Sequence, residues 1–76
     1  MLADALLPDE CVPGTVFAIT YGMHHPRNAC WSVRAIVDGR AVCRTLDKDT
    51  KRWRYDCFGP GYFRVNERNI EWRAEK

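Results

Sequence analysis

The sequence has no C-x-x-C pair, no glycine-rich phosphate loop and no apolar run near the roughly 20 residues that span a bilayer. The first absence removes the close ligand pairs of zinc ribbons and fingers, in which one tight turn presents two sulfurs. The second covers both G-x-G-x-x-G and G-x-x-x-x-G-K-[ST], and with them the usual nucleotide-dependent chemistries. H-E-x-x-H and G-x-S-x-G are missing too, so neither a zinc protease helix nor a nucleophile elbow is present. Basic residues are absent from residues 1–26, which hold Asp4, Asp9 and Glu10, the wrong start for a secretory signal. Length is short as well. A chain of 76 residues reads as one small domain, 1–76, that buries only about 60% of its unfolded surface. The expectation is a soluble, cytoplasmic module with no membrane segment, no cofactor and no small-molecule substrate.

What is present argues for a packed fold. Hydrophobic residues make up 46% and charged residues 29%, a balance that argues against disorder. Charge is unevenly spread. Residues 27–76 carry all twelve basic residues against seven acids, for a mild overall net of +2. Nine of the twelve are Arg, the side chain suited to flat, bidentate or stacked contacts, although a GC-rich coding sequence gives the same bias. The four cysteines, Cys11, Cys30, Cys43 and Cys57, are widely spaced. They read best as small buried hydrophobes with free thiols, since disulfides are uncommon in a reducing compartment. A metal site assembled from four separate segments is the alternative, giving a metal-stabilised interaction module.

Punctuation by Gly and Pro divides the chain into short alternating runs. Residues 1–14 form an N-terminal segment in which Leu2–Leu7 has room for one short helix ended by Pro8. Residues 15–73 read as a β meander. Thr15–Tyr21 is β-branched and aromatic, with Phe17, Ile19 and Tyr21 on one face. The Asp38-Gly39 pair predicts a two-residue type I′ hairpin. That turn sets Val37 opposite Arg40, Ala35 opposite Val42, Val33 opposite Arg44 and Trp31 opposite Leu46. The core face then reads Trp31, Val33, Ala35, Val37, Val42 and Leu46, with Arg44 as a misfit at its rim. In Arg52–Phe58 the alternation is cleanest, with Trp53, Tyr55 and Cys57 expected inward and Arg52, Arg54 and Asp56 outward. Tyr62–Val65 reads as a fifth strand, Asn66–Asn69 as one helical turn or a loop, and Ile70–Arg73 as a last strand.

Five or six short strands with almost no helix predict a mostly β domain, either an antiparallel sheet or a partly open barrel. The ending, Gly61-Tyr62-Phe63-Arg64-Val65-Asn66-Glu67-Arg68-Asn69-Ile70, resembles the terminal pattern of SH3-like barrels. There a strand, one helical turn and a short strand close the structure. The likeness covers ten residues, and Arg64 stands where the family usually has proline. It implies a fold and carries over no binding residue.

Catalysis finds little footing. Asp38, Asp47, Asp49 and Asp56 lie in turns or on a polar strand face, where a carboxylate stays solvated. His24 and His25 fall in a loop, with Cys30 the nearest nucleophile in sequence. Two binding surfaces remain. One is an Arg-rich sheet face of Arg52, Arg54, Arg64, Arg68 and Arg73, with Tyr62 or Trp72 as stacking platforms for nucleic acid. The other is a protein-binding surface anchored by His24, His25, Arg27, Tyr62 and Trp72, since aromatics and Arg are enriched at interfaces. The expectation is a non-enzymatic protein that binds a protein or nucleoprotein stoichiometrically. A phage or mobile-element inhibitor of the anti-CRISPR type is its sharpest form, suggested by size and the lack of motifs alone. Nucleic-acid binding through the Arg face is the runner-up.

Overall fold

The computed structural model describes residues 6–25 and 28–75. Five antiparallel strands form one sheet: β1 (Thr15–Ile19), β2 (Ala29–Val37), β3 (Arg40–Asp47), β4 (Arg52–Phe58) and β5 (Ile70–Ala74). A short helix, α1 (Pro60–Val65), and a 3-10 turn (Glu67–Asn69) connect β4 to β5. The spatial order β4-β3-β2-β1-β5 is a meander whose last strand returns to pair with the first. The 3-10 turn and β5 stand where the SH3-like ending implies them, but α1 takes the place of the strand it implies before them. The sheet is open. Its edges are β4 and β5, and the chain between them lays α1 against the core.

The expectation of a short helix at Leu2–Leu7 falls mostly outside the described residues; Leu6 and Leu7 are not helical. The helix lies instead where Tyr62–Val65 was expected to be a strand. Pro60 fits the first turn of a helix, where its missing N–H costs nothing, and Gly59 precedes it in an extended conformation. Helical spacing turns Phe63 inward, 1% exposed, while Arg64 and Val65 stay outside. A strand would have exposed either Phe63 or its neighbour Tyr62. The helix lets both touch the same core ring, Phe17.

That core is built on aromatic rings. Phe17, fully buried, lies 5.3 Å from Trp72, 5.2 Å from Phe63 and 5.9 Å from Phe58, ring centre to ring centre. Phe58 packs on Trp31 at 4.9 Å and on Tyr62 at 4.3 Å. Edge-to-face and offset pairs of this kind add about 0.5–1.5 kcal/mol each to the area they bury. Cys11, Ile19, Val33, Ala41 and Cys43 complete the buried set. Asn66 is the polar hub. Its Nδ2 donates to the Tyr62 carbonyl at 2.8 Å, and its Oδ1 accepts the Tyr21 hydroxyl, which ties the loop after β1 to α1.

The Asp38-Gly39 turn forms as predicted, with φ of 52° and 73°. Val37 pairs with Arg40 and Ala35 with Val42, as expected. Beyond Ala35 the register shifts. A bulge at Arg34 places Val33 opposite Cys43 and Ser32 opposite Arg44. One extra residue reverses the parity of β3 relative to the first half of β2. Ala41 and Cys43 become fully buried in place of Val42 and Leu46, while Val37 and Leu46 are 53% and 46% exposed. Arg44 is thereby relieved of its place on the apolar face. Arg34 itself reaches Glu75 at 3.1 Å, and Glu75 also accepts the Ser32 hydroxyl at 2.8 Å.

The turn gives a first test. Gly39 has open space where a Cβ would sit, so Gly39→Ala meets only the backbone cost of a left-handed residue, about 1–2 kcal/mol. For a domain this size each kcal/mol lowers the melting midpoint by roughly 4–8 °C. A melt of the variant that matches wild type would mean the turn does not hold this conformation in solution.

Candidate interaction surface

Parity on β4 is inverted from the sequence expectation, and this creates the site. Phe58 is the residue of β4 that reaches the core, packed against Phe17, Trp31, Tyr62 and Phe63. With Phe58 inward, alternation puts Asp56, Arg54 and Arg52 on the α1 side of the sheet and Cys57, Tyr55 and Trp53 on the opposite, outer side. Trp53 is 49% exposed and Tyr55 60% exposed. Neither belongs to the core.

Cross-strand pairing brings β3 residues beside them. Tyr55 stands opposite Arg44, and Trp53 opposite Leu46. The Arg44 guanidinium lies over the Trp53 ring, its carbon 3.9 Å from the ring centre. One of its terminal nitrogens is 3.5 Å from the Tyr55 hydroxyl, and its Nε has no hydrogen-bond partner among the described residues. A cation held over an indole is attracted by the ring's negative face. Trp53, Arg44 and Tyr55 thus form one contiguous cluster on two hydrogen-bonded strands, which fixes their positions better than a loop would. Next to the cluster a groove of about 660 Å³ crosses the outer face, lined by Val16, Ala18, Cys30, Leu46 and Lys48 and walled by Trp53. It opens where β2 and β3 part company. Their ladder stops at Ser32 and Arg44, and beyond it the Thr45 hydroxyl donates to the Cys30 carbonyl at 2.6 Å.

The residues expected to bind are scattered by the same geometry. Arg52 and Arg54 are exposed on the α1 side of β4, with Asp56 beside them. Arg64 lies on α1 and Arg68 in the 3-10 turn. Tyr62 and Trp72 are half-buried among the core rings, so neither offers an open stacking face; burial also pushes the Tyr62 phenol above its ordinary value. Arg64 and Trp72 both line a shallow depression of about 600 Å³, together with Glu10 and Glu67. Arg73 is on the outer face, pairing with Val16 across the β1–β5 ladder, and its guanidinium sits 3.5 Å from Glu71. His24 and His25 are exposed in the loop after β1, with the His25 ring 5.2 Å from Tyr21. Arg27 lies outside the described residues.

Sequence reasoning missed Arg44, Leu46, Trp53 and Tyr55 as surface residues. Two signals pointed to them. Arg44 was the misfit on the supposed core face, and Phe58, the bulky end of β4, has the opposite parity to Trp53 and Tyr55. Taken together they favour the inverted face over the expected one.

All four cysteines are free thiols, Cys11 and Cys43 buried and Cys30 and Cys57 exposed. Among the described residues no three of His, Cys, Asp and Glu lie close enough together to hold a metal ion. Among the same residues no helix is long and apolar enough to cross a membrane. Comparison of the chain with family models, with curated proteins and with solved structures finds no match.

Proposed function

We propose that this domain is a non-enzymatic binding module of the cytoplasm that engages a protein or nucleoprotein partner stoichiometrically through the outer face of its sheet. The observation that carries this reading is the exposure of Trp53 and Tyr55 on a strand, with Arg44 stacked on Trp53 and reaching the Tyr55 hydroxyl. Trp, Tyr and Arg are the residues in which binding energy concentrates at protein interfaces. Held on adjacent strands, they lose little freedom when a partner covers them. Leu46 and the apolar groove beside them extend the patch. Exposed thiols at Cys30 and Cys57 suit a reducing compartment.

The test is affinity capture with the wild-type chain beside a Trp53→Ala/Tyr55→Ala variant and an Arg52→Ala/Arg54→Ala variant. Loss of two hot-spot side chains is expected to weaken partner binding by at least about 30-fold, or 2 kcal/mol. The arginine variant, altered on the opposite side of the sheet, should bind like wild type. A partner held equally well without Trp53 and Tyr55 overturns the reading.

Nucleic-acid binding gains one observation of its own. The same two rings are open to stacking bases, with Lys48 in the adjoining groove. Stacking contributes about 1–3 kcal/mol per base. On this reading labelled single strands bind tightly at low salt and lose affinity steeply as salt rises. Absent or salt-insensitive binding removes it.

A further inference from the structure

We propose that β4 is the seam of a two-fold symmetric homodimer, in which two copies pair antiparallel about Tyr55 and continue one sheet into the other. The occupant of the open edge is a second copy of this chain, because β4 is complementary to itself. This goes beyond the partner-binding reading and does not depend on it.

Among the described residues the outer edge of β4 is unpaired. The strand runs seven residues against β3 without a bulge and contains no proline or lysine, so several usual protections of an edge are missing. Its backbone groups divide by parity. The Cys57 N–H donates to the Asp56 carboxylate at 2.8 Å, which marks Cys57 as a residue facing away from β3. By the two-residue period of an antiparallel ladder, Trp53, Tyr55 and Cys57 present their N–H and C=O groups to the open edge. These backbone groups must meet one another across the seam, so a two-fold axis can pass beside any residue from Trp53 to Cys57.

Charge selects among them: an axis beside Arg54 sets the two Arg54 side chains against each other, and an axis beside Asp56 does the same to the two Asp56 carboxylates. Centred on Tyr55, the pairing puts Arg54 opposite Asp56 of the second copy, and Asp56 opposite the second copy's Arg54. All seven residues of β4 are then paired. Trp53 meets Cys57 of the second copy, and the two Tyr55 rings face each other across the axis on the outer side, a favoured cross-strand pair. Centred on Trp53, the pairing sets Arg52 against Arg54, like against like. Centred on Cys57, it carries Tyr55 past the end of the strand to Gly59 and leaves both arginines unmatched. In the Tyr55 register the Asp56 carboxylate exchanges its local bond to the Cys57 N–H for the opposing guanidinium. The released N–H then joins the intermolecular ladder. The dimer also places both Trp53–Arg44–Tyr55 clusters side by side on one continuous face.

The test is sedimentation of the purified full chain at rising concentration. Wild type is expected to move from the monomer mass to twice that mass within the micromolar range. Asp56→Arg sets arginine against arginine twice and is expected to hold the chain at monomer mass at the same concentrations. Arg54→Asp/Asp56→Arg exchanges the charges and is expected to restore the dimer. All these positions are exposed on a strand, and circular dichroism checks that each variant is folded. A wild-type chain that stays monomeric overturns the proposal, as does a folded Asp56→Arg chain that still dimerises, or a folded double variant that does not. Asp56→Arg leaves Trp53 and Tyr55 in place, so partner capture by the monomeric variant reports on the other reading separately.

Discussion

Phe17→Ala is expected to abolish the folded state at room temperature. Phe17 has no exposed surface and touches Phe58, Tyr62, Phe63 and Trp72, which come from three different parts of the chain after β3. Truncating a buried phenylalanine costs about 3–5 kcal/mol, the transfer of the ring plus the cavity it leaves. A domain of 76 residues holds roughly 4–11 kcal/mol in all. A chain this short lies toward the low end of that range, where the loss is most or all of the total. Near-ultraviolet dichroism, which reports fixed aromatic packing, should be flat in the variant, and the thermal transition should lose its cooperativity. Phe17→Leu keeps most of the volume and should still fold, with a lowered midpoint. A cooperative melt of the alanine variant near the wild-type midpoint would mean that the ring cluster is not the centre of the core.

Alkali is the second large effect. Burial pushes the Cys43 thiol from its ordinary value of 9.0 up to about 12, with smaller contributions from Cys11, Cys57 and Asp56. Burial likewise pushes the Cys11 thiol up to about 11. Above pH 9 the unfolded chain releases protons that the folded chain retains, so rising pH favours unfolding. Stability from these groups is complete below pH 9 and declines through the interval up to their folded values, at a limiting slope of about 1.4 kcal/mol per pH unit for each thiol. The urea midpoint should fall steeply above about pH 9, and Cys43→Ala should make that fall shallower. A midpoint that is level across this range would show that the two thiols are reached by water. The same burial sets a simpler count at neutral pH. A chromogenic disulfide should titrate Cys30 and Cys57 at once, and Cys11 and Cys43 only after denaturant is added.

Strands and turns were legible in the sequence to a residue or two, because they depend on local chemistry. Asp38-Gly39 dictates its own turn, and Phe17 with Ile19 declares the inward face of β1. The faces of β3 and β4 were not legible, because a face is set by register, and register passed through Arg34. Nothing in the side chains of Val33, Arg34 and Ala35 announces a bulge. It follows from the sheet's need to turn Cys43 and Ala41 toward Phe17 while Phe58 closes the far end. The helix at Pro60–Val65 was hidden for a related reason. Its six residues satisfy a strand pattern as well as a helical one, and only the demand that Tyr62 and Phe63 both reach Phe17 decides between them. The candidate site inherited both errors. Trp53 and Tyr55 looked like core on composition, and their exposure depends on parity counted back from Phe58.

The pairing of β5 with β1 has a consequence for how the chain is made. β1 to β4 are joined by short connections, and each can settle as soon as its neighbour exists. The fifth strand must bring Ala74 back to Thr15, closing a loop of nearly the whole described length. During synthesis on a ribosome the first four strands emerge with Phe17 still open on one side. Trp72, which covers it, is translated after all four. Until then the nascent sheet exposes two unpaired edges, β1 and β4, and a wet aromatic core. The period of greatest exposure to wrong partners therefore comes before β5 leaves the exit tunnel.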